Sequence, residues 1–181
     1  MTKARDLANA GTALTTVSAT ELGYLDGVTS AVQTQINTKA ASTSPTLTTP
    51  VIVSPEERMT VSATAATGNI NFDAATQGVL YYTSNASANW TLNVRGSSGA
   101  TLDSILATND AITVSFLVTN GSTAYRHSAM TIDGTSVTPK WSGGTAPAAG
   151  NASSIDAYSF TIIKTASATY TVLGAGPIKY A

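Results

Sequence analysis

The sequence predicts a mainly β protein in which short N-terminal helices and an extended connector precede an antiparallel, jelly-roll-like β-sandwich. Three observations point there. Beyond Arg58 the chain repeats a two-residue apolar/polar alternation between Gly-, Asn- and Ser-bearing turns, the pattern of half-buried strands. Helix signals are confined to residues 1–58. All three Phe, both Trp and six of the seven Tyr fall in residues 59–181, which marks these as the folded body and residues 1–58 as an attachment segment.

Within that segment, Ser18-Ala19-Thr20-Glu21 has capping-box spacing: the serine accepts from the amide three residues on, and the glutamate reaches back to the serine amide. Leu22 and Leu25 follow, and Asp26-Gly27 ends the turn. Ser30 and Gln33 repeat the spacing ahead of Val32, Ile36 and a closing Lys39. These helices are shorter than the ~12–15 residues at which isolated helices become marginal in water. The apolar stripe Leu22, Leu25, Val28, Val32 and Ile36 therefore needs a partner. Either the chain's own body supplies it, or equivalent helices of neighbouring copies pack around an axis, and the second is favoured. From Ala41 to Pro55 the chain is rich in Ser and Thr, with Pro45, Pro50 and Pro55 removing amide donors. This reads as an extended connector, with a short edge strand at Val51-Ile52-Val53.

In the body, strands are predicted at Ile70–Phe72, Val79–Tyr82, Trp90–Arg95, Ile112–Val118, Tyr158–Ile162 and Tyr170–Val172. Trp90, Leu92 and Val94 alternate with Thr91, Asn93 and Arg95; Ile112, Val114, Phe116 and Val118 alternate with polar neighbours. Asn120-Gly121, Asp133-Gly134 and Gly143-Gly144 are the expected turns. Thr101 to Leu106 fits a strand or one helical turn, with Asp103 and Asp110 placed to cap it. About seven to nine short strands at this spacing argue for the sandwich.

Composition narrows the function. Ala, Ser, Thr and Gly supply just over half of the 181 residues, and Val, Leu, Ile and Phe only about a fifth. A core so lean in large apolar groups gains from further burial between subunits. Nine cations against ten anions give no electrostatic handle for nucleic acid, so no nucleic-acid partner is expected. No apolar run is long enough to insert in a membrane, and the first residues carry no signal-peptide pattern. The chain has no cysteine and a single histidine, so no metal site, cofactor or thiol chemistry is expected.

Candidate chemistry is sparse. His127 with a serine and Asp103, Asp133 or Asp156 has the parts of a hydrolytic triad, but no G-x-S-x-G elbow accompanies it. His127 reads better as a hydrogen-bonded surface or interface residue. No carboxylate pair has the spacing of a glycosidase, so no catalytic residue is assigned and the protein reads as non-enzymatic. Tyr81, Tyr82, Trp90, Tyr125, Trp141 and Tyr158 read first as packing residues. Tyr125 and Trp141 are the candidates for contact with a ligand or partner, because a loop of small residues, Ser142 to Gly150, gives Trp141 little cover.

The stretch from Thr16 to Lys39, with its core E-L-x-Y-L-D-G-V-T-S-x-V-Q-T-Q-I-N-x-K, resembles a module recurrent in tail fibres and other appendage proteins of tailed bacteriophages, particularly phages of cyanobacteria. Trp141 to Ile162, W-S-G-G-T-A-P-A-A-G-N-A-S-S-I-D-A-Y-S-F-T-I, is similar to the β-domain that ends several such proteins. The resemblance implies a non-enzymatic homotrimer on the virion, in contact with other structural proteins of tail or capsid. It assigns Leu22, Leu25, Val28, Val32 and Ile36 to packing about the trimer axis. Long fibres of the family carry several modules. One module and one body imply a short fibre or tip subunit, or else a capsid decoration or head fibre; a host surface glycan is the further partner to be considered.

Overall fold

The computed structural model describes Ser18, Thr20, Glu21, Tyr24 and residues 50–181. The chain divides into two compact units, Met1–Val53 and Ser54–Ala181. In the first, the capping box forms as predicted: the Ser18 amide donates to Glu21 Oε2 at 2.7 Å and the Glu21 amide to Ser18 Oγ at 3.2 Å. Those two bonds hold the Glu21 carboxyl below its ordinary range. Leu22, Leu25, Val28, Val32 and Ile36 lie outside the described residues. Val51, Ile52 and Val53 are exposed and form no strand, which corrects the expected edge strand: three β-branched residues flanked by Pro50 and Pro55 find no neighbour to pair with among the described residues.

The second unit is mainly β. Its strands are β1 (Met59–Ala65), β2 (Gly68–Asp73), β3 (Val79–Ser84), β4 (Trp90–Arg95), β5 (Ala111–Asn120), β6 (His127–Ile132), β7 (Thr135–Val137), β8 (Lys140–Trp141), β9 (Ser154–Ala166) and β10 (Thr169–Tyr180). A four-residue helix, α1 (Leu102–Ile105), separates β4 from β5, which decides the ambiguous stretch in favour of a helical turn. The strands make a six-stranded sheet in the order β1-β3-β5-β9-β10-β8 and a four-stranded sheet in the order β2-β4-β6-β7.

The expectation of antiparallel pairing is corrected. From β1 to β6 successive strands alternate between the two sheets, so neighbours within a sheet run the same way. Five pairings are parallel, β1–β3, β3–β5, β2–β4, β4–β6 and β8–β10; β5–β9, β9–β10 and β6–β7 are antiparallel. Period-two alternation reports which face is buried and says nothing of strand direction. Matched rows run across the windings: Ile70 lies beside Leu92 and Leu92 beside Met130, while Leu80 lies beside Phe116; the register shifts between Ser62 and Ala65 and between Trp90 and Thr91.

Side chains from both sheets enter one core, including Phe72, Leu92, Val94 and Ile132 from the smaller sheet and Leu80, Phe116, Phe160 and Ile162 from the larger. The predicted inward residues of β4 and β9 are buried, as are Val114, Phe116 and Val118 of β5, with Ile112 only partly buried; Asn93, expected on the wet side, is also buried. It sits in a polar ladder along matched positions of the windings, donating to Asn71 Oδ1 at 2.8 Å and accepting from Thr131 Oγ1 at 2.8 Å. Two residues further along, Arg95 Nε pairs with Asp73 at 2.6 Å.

The strand β9 is longer than predicted because its core face is apolar only in the middle. Tyr158, Phe160 and Ile162 are flanked by buried Asp156 at one end and buried Lys164 at the other. Asp156 accepts from Asn120 Nδ2, the Asn151 amide and Asn151 Nδ2 at 3.1, 2.8 and 2.8 Å. Lys164 Nζ donates to the carbonyls of Asp103 and Leu106 at 2.6 and 2.9 Å and pairs with Asp103 Oδ1 at 2.8 Å. The caps of α1 also differ from expectation. Thr101 Oγ1 accepts from the Ser104 amide, and Asp133 accepts from the amides of Leu102 and Asp103 at 2.7 and 3.1 Å. Asp133 can reach them because Asp133-Gly134, with φ of 51° and 81°, forms the two-residue turn between β6 and β7. Asp103 instead meets Lys164 and the Ala168 amide, which hold its carboxyl below the usual carboxylate range.

Candidate functional site

The two residues singled out for ligand or partner contact take different places. Tyr125 is partly buried against the core, and its backbone is fixed by Asn120: its amide donates to Asn120 Oδ1 at 3.2 Å and its carbonyl accepts from Asn120 Nδ2 at 3.1 Å. Trp141 is also partly buried. It stands in β8, paired beside Leu173-Gly174 of β10, just before the Ser142–Gly144 turn. Gly174 makes this possible, since a Cβ there would stand 3.1 Å from Trp141 Cε3.

Beneath Trp141 lies a cluster of rings drawn from distant parts of the chain. His127 is 5.1 Å from Phe160, 5.5 Å from Trp141 and 6.2 Å from Tyr158, centroid to centroid. Trp141 meets Phe160 nearly edge-on at 5.7 Å, and Trp90 meets Tyr158 at 6.0 Å and Phe116 at 5.6 Å. Tilted and edge-on contacts of this kind suit the ring quadrupoles. Position by position, β6 brings His127 beside Trp90, and β8 brings Trp141 over the strand that neighbours β9.

The expectation of a hydrogen-bonded surface histidine is corrected. His127 is 3% exposed, and its Nε2, with Trp90 Nε1 and Tyr158 Oη, has no hydrogen-bond partner among the described residues. Burial, with the Arg126 charge adding to it, brings the imidazole down to about 4, so the ring is neutral at physiological pH. Burial pushes the Tyr158 phenol well up, with the neighbouring His127 amide a smaller opposing influence. Alternation along Tyr125-Arg126-His127-Ser128 did not reveal this, because the aromatic partners that bury the ring come from β8 and β9.

A hollow of about 260 Å³ opens beside Trp141, lined among others by Arg126, His127, Pro139, Ala146 and Pro147. It offers an apolar ring, a guanidinium and backbone and hydroxyl groups, and its lining contains no carboxylate. A second hollow, of about 390 Å³, is lined by Asn93, Arg95, Thr101 and Asp133. Its polar groups are already engaged: Arg95 with Asp73, Asn93 with Asn71 and Thr131, Asp133 with the start of α1. Beside Trp141, Arg126 Nη1 likewise donates to the His127 carbonyl and Ser128 Oγ to the Trp90 carbonyl, both at 2.9 Å; the partly open indole is what this hollow adds, and it makes this the better candidate for a ligand.

Compared with protein-family models, curated proteins and solved structures, the chain matches none. Chemistry must be read from the groups themselves. Asp103, Asp133 and Asp156, the carboxylates considered for a triad, are bonded respectively to Lys164, to α1 amides and to Asn120 and Asn151, and none of them bonds His127. Among the described residues, no three His, Asp or Glu side chains gather as a metal ion would require, and no helix is long and apolar enough to cross a membrane. Asn120, Asn151 and Asp156, which sequence reasoning named only as a turn residue, as part of the small-residue loop region and as a triad carboxylate, form a buried polar cluster where the end of β5, the start of β9 and the loop before β9 meet.

Proposed function

We propose that the chain is a non-enzymatic virion structural protein, a homotrimeric tail-fibre or tail-associated subunit. It docks through residues 1–58 to another structural protein of the particle and projects the β body as a two-layer sandwich. The observation that carries this reading is the module from Thr16 to Lys39. The capping box that starts its first helical turn supports it, as does the single core fed by both sheets. Multivalent display through three copies would turn weak contacts into useful avidity. Immunogold labelling of particles is the test, with gold expected on the tail. Gold confined to the capsid would assign the chain to decoration or head fibre instead, and unlabelled particles would end the virion reading.

A second reading is a host-glycan receptor module, favoured by the partly open Trp141 and the hollow beside it. A sugar ring would stack on the indole, with Arg126 and nearby hydroxyls available to its own hydroxyls. Titration with host surface polysaccharide would quench tryptophan emission in the native chain and leave Trp141→Ala unchanged. Unchanged emission in the native chain would remove this reading.

A further inference from the structure

The outer faces of the two sheets differ in kind. The smaller sheet turns Asn71, Asp73, Asn93, Arg95 and Thr131 outward, tied by hydrogen bonds and an ion pair. The larger sheet turns no charged residue outward on β1, β3, β5, β9 or β10. The charges of these strands, Asp156, Lys164 and Lys179, all occupy core-side registers, and Lys140 stands only at the β8 edge. One row across this face reads Val61, Tyr81, Leu117, Ala157 and Ile178, each beside the next. Of the body's large hydrophobics that remain exposed, all but Ile105 stand on this face: Met59, Val61, Leu173, Ile178 and Tyr180.

We infer that the outer face of the six-stranded sheet is an interface between copies of this chain, over and above any contact made by the N-terminal helices. The apolar row from Val61 to Ile178 is continuous across this face, and Thr113, Ser115, Ser159 and Thr161 turn hydroxyls to the same side beside it. Five strands at ~4.8 Å spacing and ~3.3 Å per residue give the whole face, apolar row and hydroxyls together, about 700 Å², close to the ~800 Å² each partner contributes to a stable complex. A face whose charge is confined to Lys140 at its β8 edge offers little to a charged partner. It complements another neutral sheet, and a second copy supplies one. The inference gives the homotrimer reading its body-to-body contact and rests on that reading for the number of copies.

The chain has no cysteine, so Ile178→Cys and Ile105→Cys place a single thiol on this face and outside it. Maleimide labelling of the full-length protein is expected to be at least tenfold slower at 178 than at 105 in the assembled form, with the difference vanishing on dilution to monomer. Val61→Lys, at a position already 55% exposed in the single chain, is expected to weaken association tenfold or more by light scattering while circular dichroism stays native. Equal labelling rates in a particle of three copies would overturn the interface and leave the trimer standing. A monomer at high micromolar concentration would overturn both. Protection at 178 that persists in a monomer, or association unaffected by Val61→Lys, would also overturn the interface.

Discussion

Acidification tests the buried histidine. The unfolded chain carries His127 near 6.5, whereas the folded chain holds it near 4. Between these values the unfolded state takes up a proton that the folded state refuses, so stability falls as pH is lowered. It is full above about pH 6.5, declines through the window and levels off for this residue below about pH 4. The gap amounts to about 3 kcal/mol across the window, at 1.36 kcal/mol for each pH unit. The single histidine and absent cysteines make the window readily assignable. Asp103, whose carboxyl is already lowered, loses its contribution at more acid pH. Urea unfolding followed by tryptophan emission at pH 7.5, 6.5, 5.5 and 4.5, at fixed protein concentration, reads the effect. His127→Phe keeps a ring against Phe160 and Trp141 and should flatten the dependence. A native chain equally stable at pH 6.5 and 4.5, or a Phe variant with the native slope, would refute the reasoning.

Three further outcomes follow from the ends of β9 and from β8. Asp156→Ala strands the donors of Asn120 and Asn151 in a buried site and should cost about 3 kcal/mol in urea unfolding. Lys164→Met keeps the apolar stem but releases the carbonyls of Asp103 and Leu106, so hydrogen exchange should quicken at Ser104 and Leu106 well before the core amides. Gly174→Ala drives a methyl against Trp141 and should red-shift the emission of the displaced indole at a cost of about 1–3 kcal/mol, measured by fluorescence and thermal melting.

The sequence was most legible where one physical signal decides the outcome. Trp90, Leu92 and Val94 could face only the core, Asp133-Gly134 could hardly be other than a two-residue turn, and Ser18 with Glu21 formed the capping box their spacing promised. Strand direction was illegible because parallel and antiparallel neighbours demand the same alternation. The lengths of β9 and β10 were hidden because Asp156 and Lys164 look like strand-ending polar residues until their partners from β5, α1 and the loop at Asn151 are in place. The candidate site was half legible. Trp141 was picked out by its small-residue surroundings, whereas His127 depends on rings supplied by β8 and β9 and could not be placed from its own neighbours.

The alternation of strands between sheets from β1 to β6 makes width a modular property of this body. Each back-and-forth passage adds one strand to each sheet and widens it by ~4.8 Å, with Ile70, Leu92 and Met130 falling in one row. Gain or loss of a whole passage would preserve the Asn71–Asn93–Thr131 column and the inward rows, whereas a one-residue slip would turn every side chain of that strand to the wrong side. Such a body changes width in steps, and selection can adjust its reach without redesigning the antiparallel closure that β9 and β10 provide.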